Sequence, residues 1–242
     1  MFRKIFLSCM FFMIACNAAD KRQQAYEITQ EFGLSQEENG MNGKIELLMD
    51  VRLTPSVREQ LWDKGDWSFV LSSESELFKD FSTFPPRNAK LIIRDETGKV
   101  VAERALERPL ASLEECGPNR GGKGGYLLTV DFSIGSGSYN GPGTTLLQVL
   151  NRTFLYAEAI NVATRKRKVI RLTKSLKSDW RIETRSERTE ILSLSSHPAN
   201  NDNFVSDYVR YSFDGTQWLE YRQQKAGLWE SDQPFPPRSA FP

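Results

Sequence analysis

Apolar and polar positions alternate with a period of two along most of this chain, the repeat of a half-buried strand. Ile45, Leu47, Met49, Val51 and Leu53 alternate with Lys44, Glu46, Asp50 and Arg52. Leu128, Val130, Phe132 and Ile134 alternate with Thr129, Asp131 and Ser133. Trp180 and Ile182 alternate with Arg181, Glu183 and Arg185, and Val209, Tyr211 and Phe213 with Arg210 and Ser212. Each set predicts a strand with one face in a core and one in water. Turn signals join several of them. Asp95-Glu96-Thr97-Gly98 separates Lys90–Arg94 from Val100–Leu106. Asp214-Gly215 predicts a two-residue hairpin turn between Tyr208–Phe213 and Gln217–Tyr221, and Thr164-Arg165-Lys166 turns Phe154–Val162 back into Lys168–Thr173.

Helix signals are few. Thr54-Pro55-Ser56 before Val57–Trp62 has an N-cap residue and a proline in the first turn, with Gly65 as a stop. Ser73–Phe81 is a second short helical segment. The pattern predicts an all-β fold: an antiparallel β-sandwich or open barrel of about ten strands with one or two short helices. Gly117–Gly125 and Gly135–Gly143 read as loops on either side of a strand at Tyr126–Ile134. The end, Gln233 to Pro242, is too rich in proline to form a ladder and predicts an extended tail. Phe-Pro-Pro-Arg occurs twice, at Phe84–Arg87 and Phe235–Arg238, with no longer match around the copies.

The amino terminus departs from this pattern. Arg3 and Lys4 precede an apolar run from Ile5 to Ala15, and charge returns at Asp20-Lys21-Arg22. That order is the order of an export signal. The run is about half the ~20 apolar residues a bilayer core needs, so a permanent span is the weaker reading. Met13-Ile14-Ala15-Cys16 resembles the lipobox of bacterial lipoproteins, with Met where Leu is commonest and Ile where a small residue is commoner. The resemblance covers the apolar run and four residues. It implies diacylglycerol on the Cys16 thiol, cleavage before it, and attachment to a membrane through that lipid. Asn17 rather than Asp follows, which by the same resemblance implies sorting to the outer membrane, facing the periplasm. The alternative is ordinary cleavage near Ala18 or Ala19 and a soluble periplasmic protein. The chain then divides into a signal at 1–15, a β-rich main domain at 16–175, and a β-hairpin extension with its Pro-rich tail at 176–242, packed on the main domain.

Composition narrows the partners. The 32 basic and 31 acidic residues nearly cancel, leaving +1. Such a field gives no global attraction to nucleic acid or to an anionic membrane, so a lipid is the expected anchor. The three cysteines are Cys9 inside the apolar run, Cys16 and Cys116. If Cys16 is acylated, Cys116 is left without a partner thiol and no internal disulfide forms.

Candidate chemistry is sparse. Gly117 to Gly124 is one residue short of a phosphate-binding loop, but Gly124 lacks the hydroxyl that would ligate magnesium, and a strand rather than a helix follows. His197 is the only histidine, in a turn-like Ser195-Ser196-His197-Pro198 context, and one imidazole with one thiol makes zinc a poor fit. Cys116 follows Glu114 and Glu115, whose charge disfavours a thiolate. Asn200, Asn201, Asp202, Asn203 and Asp207 offer oxygens without the order of a calcium loop. No catalytic residue, metal ligand or cofactor is expected. The one strong charge cluster is Arg165, Lys166, Arg167, Lys168 and Arg171. Its plain reading is a solvated hairpin turn with gatekeeping charge on an edge strand. Its functional reading is a patch for an anionic partner. The resulting expectation is a non-catalytic envelope lipoprotein, a β-rich module that binds a protein or glycan or serves a structural role. The alternatives are a carboxylate-dependent glycan hydrolase, a chemistry that needs no histidine, and a periplasmic immunity protein against a toxin.

Overall fold

In the structure, a computed structural model, residues 26–64, 81, 84–116, 126–131, 138–139, 141–185, 188–199 and 203–242 are described. The export signal and Cys16, the Gly117–Gly125 loop, and all of Ser73–Phe81 except Phe81 lie outside them. Among the described residues no helix is long and apolar enough to cross a membrane.

The fold is all-β, in stacked, almost wholly antiparallel sheets. The first sheet has four strands in the order β1 (Tyr26–Leu34), β2 (Gly43–Asp50), β3 (Lys90–Asp95) and β4 (Val100–Ala105). The second is built on β5 (Ala111–Cys116), β6 (Tyr126–Asp131) and β7 (Gly143–Leu150). One edge of β7 is shared: β11 (Arg171–Thr173) takes its first half and β8 (Thr153–Tyr156) its second. The third sheet has six strands in the order β10 (Arg167–Val169), β9 (Glu158–Asn161), β15 (Trp218–Ala226), β14 (Phe204–Phe213), β13 (Arg188–Pro198) and β12 (Ser178–Arg185). Its β9–β15 pairing is parallel.

Two apolar clusters cement the sheets to one another, and a third seats the tail. Ile45, Leu47 and Met49 of β2 and Leu91 and Ile93 of β3 pack on Leu113, Leu147, Val149 and Phe154 of the second sheet. Leu146 of β7, with Ala159, Ile170 and Leu172, packs on Ile191, Val209, Tyr211 and Trp218 of the six-stranded sheet. Neighbouring side chains on a strand point to opposite faces. Leu146 and Leu147 are nevertheless both fully buried, so β7 lies in a middle layer. The same holds in β13. Ile191 faces the second cluster, whereas Leu192 and Leu194 lie on the other face beneath Trp229 and Phe241. The Pro-rich tail thus forms no ladder but is seated on the outer face of the six-stranded sheet.

Local chemistry explains most elements. Asp95 Oδ1 accepts hydrogen bonds from the Thr97 and Lys99 amides, and Gly98 takes φ 82°, which closes the β3–β4 hairpin where the sequence predicts it. The expected helix forms as α2 (Pro55–Lys64). A four-residue helix, α1 (Gln36–Asn39), was not expected, although its start has the capping-box pattern. The Ser35 hydroxyl accepts from the Glu38 amide at 3.2 Å, and Gly40 ends the turn at φ 72°.

Three expectations change. The β14–β15 turn runs over four residues, 214–217, because Asp214 Oδ1 takes both the Thr216 and Gln217 amides, at 2.8 and 2.9 Å. The Phe154–Val162 and Lys168–Thr173 segments are each broken in two. The chain bends at the buried Ala157 and Ile170, whose backbones are bonded at 2.9 Å, so β8 and β11 join the second sheet while β9 and β10 join the third. His197 lies within β13, paired with Val205, rather than in a turn.

Candidate functional site

Four separate segments meet at a cleft of about 430 Å³ between the first two sheets. β4 supplies Arg104. The connection to β5 supplies Leu106, Glu107 and Arg108, and it is pinned at both ends to Ala89: the Leu106 amide donates to the Ala89 carbonyl and the Ala89 amide to the Arg108 carbonyl, each at 2.8 Å. The run into β7 supplies Tyr139, Gly141, Gly143, Thr144 and Thr145, and Tyr156 comes from β8. Val169, Arg171, Leu172 and Thr173 close the wall from β10 and β11. The floor is formed by the buried Leu106, Thr144 and Leu172.

Gly141 is required where it stands. A Cβ there would fall 1.7 Å from the Lys174 carbonyl oxygen, so no other residue lets the two chains pass. The Lys174 amide donates to the Pro142 carbonyl at 3.2 Å and ties the same wall together.

The charge of the cleft is basic: three arginines against one glutamate. Arg171 reaches toward Glu107 at 3.9 Å, but both side chains are largely exposed, and such a pair contributes little. The Arg104 guanidinium lies 4.1 Å above the Tyr156 ring, which limits where its donors can point. Among the described residues no carboxylate pairs with Arg104 or Arg108. A planar guanidinium presents forked donors that match a carboxylate or a phosphate. The arrangement can therefore hold an anionic group beside aromatic and hydroxyl-bearing walls. Among the described lining residues Glu107 is the one carboxylate, and there is no tryptophan.

Of the sequence-derived patch, Arg171 alone lines the cleft. Arg165, at φ 59°, and Lys166 lie in the exposed β9–β10 turn, held by Asn161 Oδ1, which accepts from the Thr164 amide. Arg167 and Lys168 lie on the exposed edge strand β10, with Arg167 3.7 Å from Glu158. Arg104, Arg108, Tyr139 and Tyr156 carry no local signal that would have found them. Trp180 and Trp218 belong to the second core cluster and Trp229 to the third.

A second polar cluster is closed on itself. Arg222 bridges two buried carboxylates, Asp207 at 3.3 Å and Glu220 at 3.2 Å, and Gln224 and Asn161 donate to them as well. Burial, with the Glu220 charge, pushes the Tyr211 phenol beside them up to about 12. His197 Nε2 stands 3.8 Å from Asp207. Among the described residues no group of His, Cys, Asp and Glu is arranged to hold a metal. A second cavity, of about 300 Å³, lies between β1, α2 and β5, and its one basic side chain, Arg58, is paired with Glu27 at 2.8 Å.

Comparison with known protein families, with curated proteins and with solved structures finds no match for this chain.

Proposed function

We propose that this chain is a non-catalytic binding module of the bacterial cell envelope, anchored through a lipid on Cys16, whose cleft takes an anionic group of a glycan or protein partner. The cleft carries the reading: Arg104, Arg108 and Arg171 converge on one cavity with a single carboxylate among them. The guanidinium groups sit on two tied-down segments, Arg104 and Arg108 on the run from β4 to β5 and Arg171 on β11, so an anion finds them already gathered, which lowers the ordering cost of binding. The anchor is supported by the apolar run and Met13-Ile14-Ala15-Cys16. A near-neutral chain gains little from the membrane's own charge, whereas buried lipid contributes about 0.8 kcal/mol per methylene.

Retention on immobilised polygalacturonate, an acidic glycan, tests the cleft. Wild type is expected to be retained at low ionic strength and released as salt screens the arginines. An Arg104→Ala, Arg108→Ala, Arg171→Ala variant is expected to pass unretained with an unchanged far-UV spectrum. Equal retention of the two proteins, or none for either, refutes the reading of the cleft. Labelled palmitate tests the anchor: incorporation that is lost in Cys16→Ser supports it, and unlabelled wild type in the soluble periplasmic extract overturns it.

A further inference from the structure

The two Phe-Pro-Pro-Arg copies sit in opposite circumstances. The second is seated. The Phe235 ring stacks on Phe241 at 5.7 Å and meets Trp229 edge-on at 6.2 Å, and the Arg181 guanidinium lies 4.7 Å above it. Arg181 Nη2 donates to the Pro236 carbonyl at 3.2 Å. Arg238 forks onto Glu190, at 2.6 and 3.3 Å, and Glu190 also takes Arg210 at 2.9 Å. The outer face of the six-stranded sheet thus reads an aromatic ring, a carbonyl and a guanidinium in a fixed order.

The first copy is uncovered. Phe84 is 68% exposed. The Arg87 side chain is exposed too; it approaches the Tyr26 ring at 6.0 Å, and no carboxylate among the described residues pairs with it. This copy is held instead by its main chain and one proline. Arg52 donates to the carbonyls of Phe84 and Pro85 at 2.7 and 3.1 Å, the Arg87 amide donates to Asp50 at 2.9 Å, and Pro86 is buried. The two side chains that the groove reads are therefore the two that this copy leaves in solvent, while its Pro85 carbonyl, the counterpart of Pro236, accepts from Arg52 and takes Arg181 as a second donor on docking.

We propose that the groove over Glu190 and Arg181 is a recognition site for Phe-Pro-Pro-Arg, and that Phe84–Arg87 of a second copy of this chain occupies it when the C-terminal segment lifts. The contact joins two different surfaces, so two copies close into a pair by exchanging it reciprocally or pass it on head to tail, according to the angle between motif and groove. Its own tail protects each copy. Trp229 is held by its amide to the Ser196 hydroxyl at 2.9 Å, and a tether of a few residues from there keeps Phe235 at an effective concentration in the millimolar range. The tail wins in dilute solution, and association follows its release. Residues 230–234 between the anchor and the motif are partly or fully exposed, and the Ser231 amide, donating to the Leu176 carbonyl at 2.8 Å, fixes the point from which the segment lifts.

Sedimentation velocity on the full chain tests this. Wild type is expected to remain monomeric across the micromolar range. Phe235→Ala with Arg238→Ala, which takes both motif side chains out of the groove, is expected to raise the weight-average mass at least twofold with concentration. Adding Phe84→Ala or Arg87→Glu to that variant is expected to restore the monomer. A groove-emptied variant that stays monomeric overturns the proposal. So does one that associates equally well without Phe84, because then a surface other than the motif is responsible. Should emptying the groove unfold the chain, wild type serves instead, with the peptide Thr-Phe-Pro-Pro-Arg-Asn in millimolar excess. Hydrogen exchange at the Ala240 and Phe241 amides, which donate to Pro237 and Arg238 carbonyls, is expected to accelerate several-fold relative to a scrambled peptide. Equal exchange with the two peptides overturns the proposal.

Discussion

Replacing Leu146 and Leu147 with alanine, one at a time, tests whether β7 is a middle layer. The two are neighbours in sequence and both are 0% exposed. Leu147 packs with β2 and β3, and Leu146 with the inner face of the six-stranded sheet. A strand of a two-layer sandwich would expose one of the pair, and trimming an exposed leucine changes stability by about 0.5 kcal/mol or less. Here each truncation removes fully buried methyl groups and leaves a cavity in a different core. The cost is about 2–5 kcal/mol for either variant. At about 2–4 °C per kcal/mol for a chain of this length, each lowers Tm by roughly 4–20 °C. Urea unfolding followed by tryptophan fluorescence measures the free energies, and an unchanged slope with denaturant confirms that the same surface is exposed in each variant. Leu155 in the adjacent β8 is 41% exposed and is the control, with a cost below about 1 kcal/mol expected. A cost at the control level for either Leu146 or Leu147 refutes the layered arrangement.

Three further outcomes follow from particular contacts. Burial alone would raise the carboxyls of Glu190, Glu46 and Asp50, but arginine and lysine hydrogen bonds outweigh it and hold all three below their ordinary values. The unfolded chain therefore takes up protons first on acidification. The stability these groups contribute is present above their unfolded values and lost as pH falls through the folded ones. Glu190→Gln is expected to lower stability at neutral pH and to flatten the acid limb of the stability–pH curve; an acid limb identical to wild type counts against the Arg210–Glu190–Arg238 cluster. Gln30 caps the free edge of β5, its Nε2 donating to the Leu113 carbonyl at 3.0 Å and its Oε1 accepting from the Leu113 amide at 2.7 Å. Gln30→Ala should cost about 1–3 kcal/mol and speed hydrogen exchange at the Leu113 amide, and unchanged exchange there would show the cap to be dispensable. Gly141→Ala drives a Cβ into the Lys174 carbonyl. It should cost about 1–3 kcal/mol or more and weaken polygalacturonate retention by moving the cleft wall; a variant matching wild type in thermal melting and retention would show that the wall yields freely.

The sequence by itself determined the class of this fold, because alternation records a strand with one wet face. Ile45, Leu47 and Met49 show it, and their cross-strand partners Ile93 and Leu91 share their core. It determined the β3–β4 turn and α2, since Asp95, Gly98 and Pro55 act on their own backbone within a few residues. It left β7 unread: the neighbours Leu146 and Leu147, which face opposite sheets, are both buried, so alternation, which marks only half-buried strands, is blurred there. It could not divide the 154–173 hairpin between two sheets, because Ala157 and Ile170 become corners only when both sheets are present to bury them. Nor could it seat the tail, whose prolines exclude a ladder but leave Phe235, Arg238 and Phe241 free to find Glu190 and the outer face of β13. The cleft belonged wholly to tertiary structure. Arg104 and Arg108 are near neighbours in sequence, but Arg171 is far along the chain from both, and only sheet packing brings the three around one cavity.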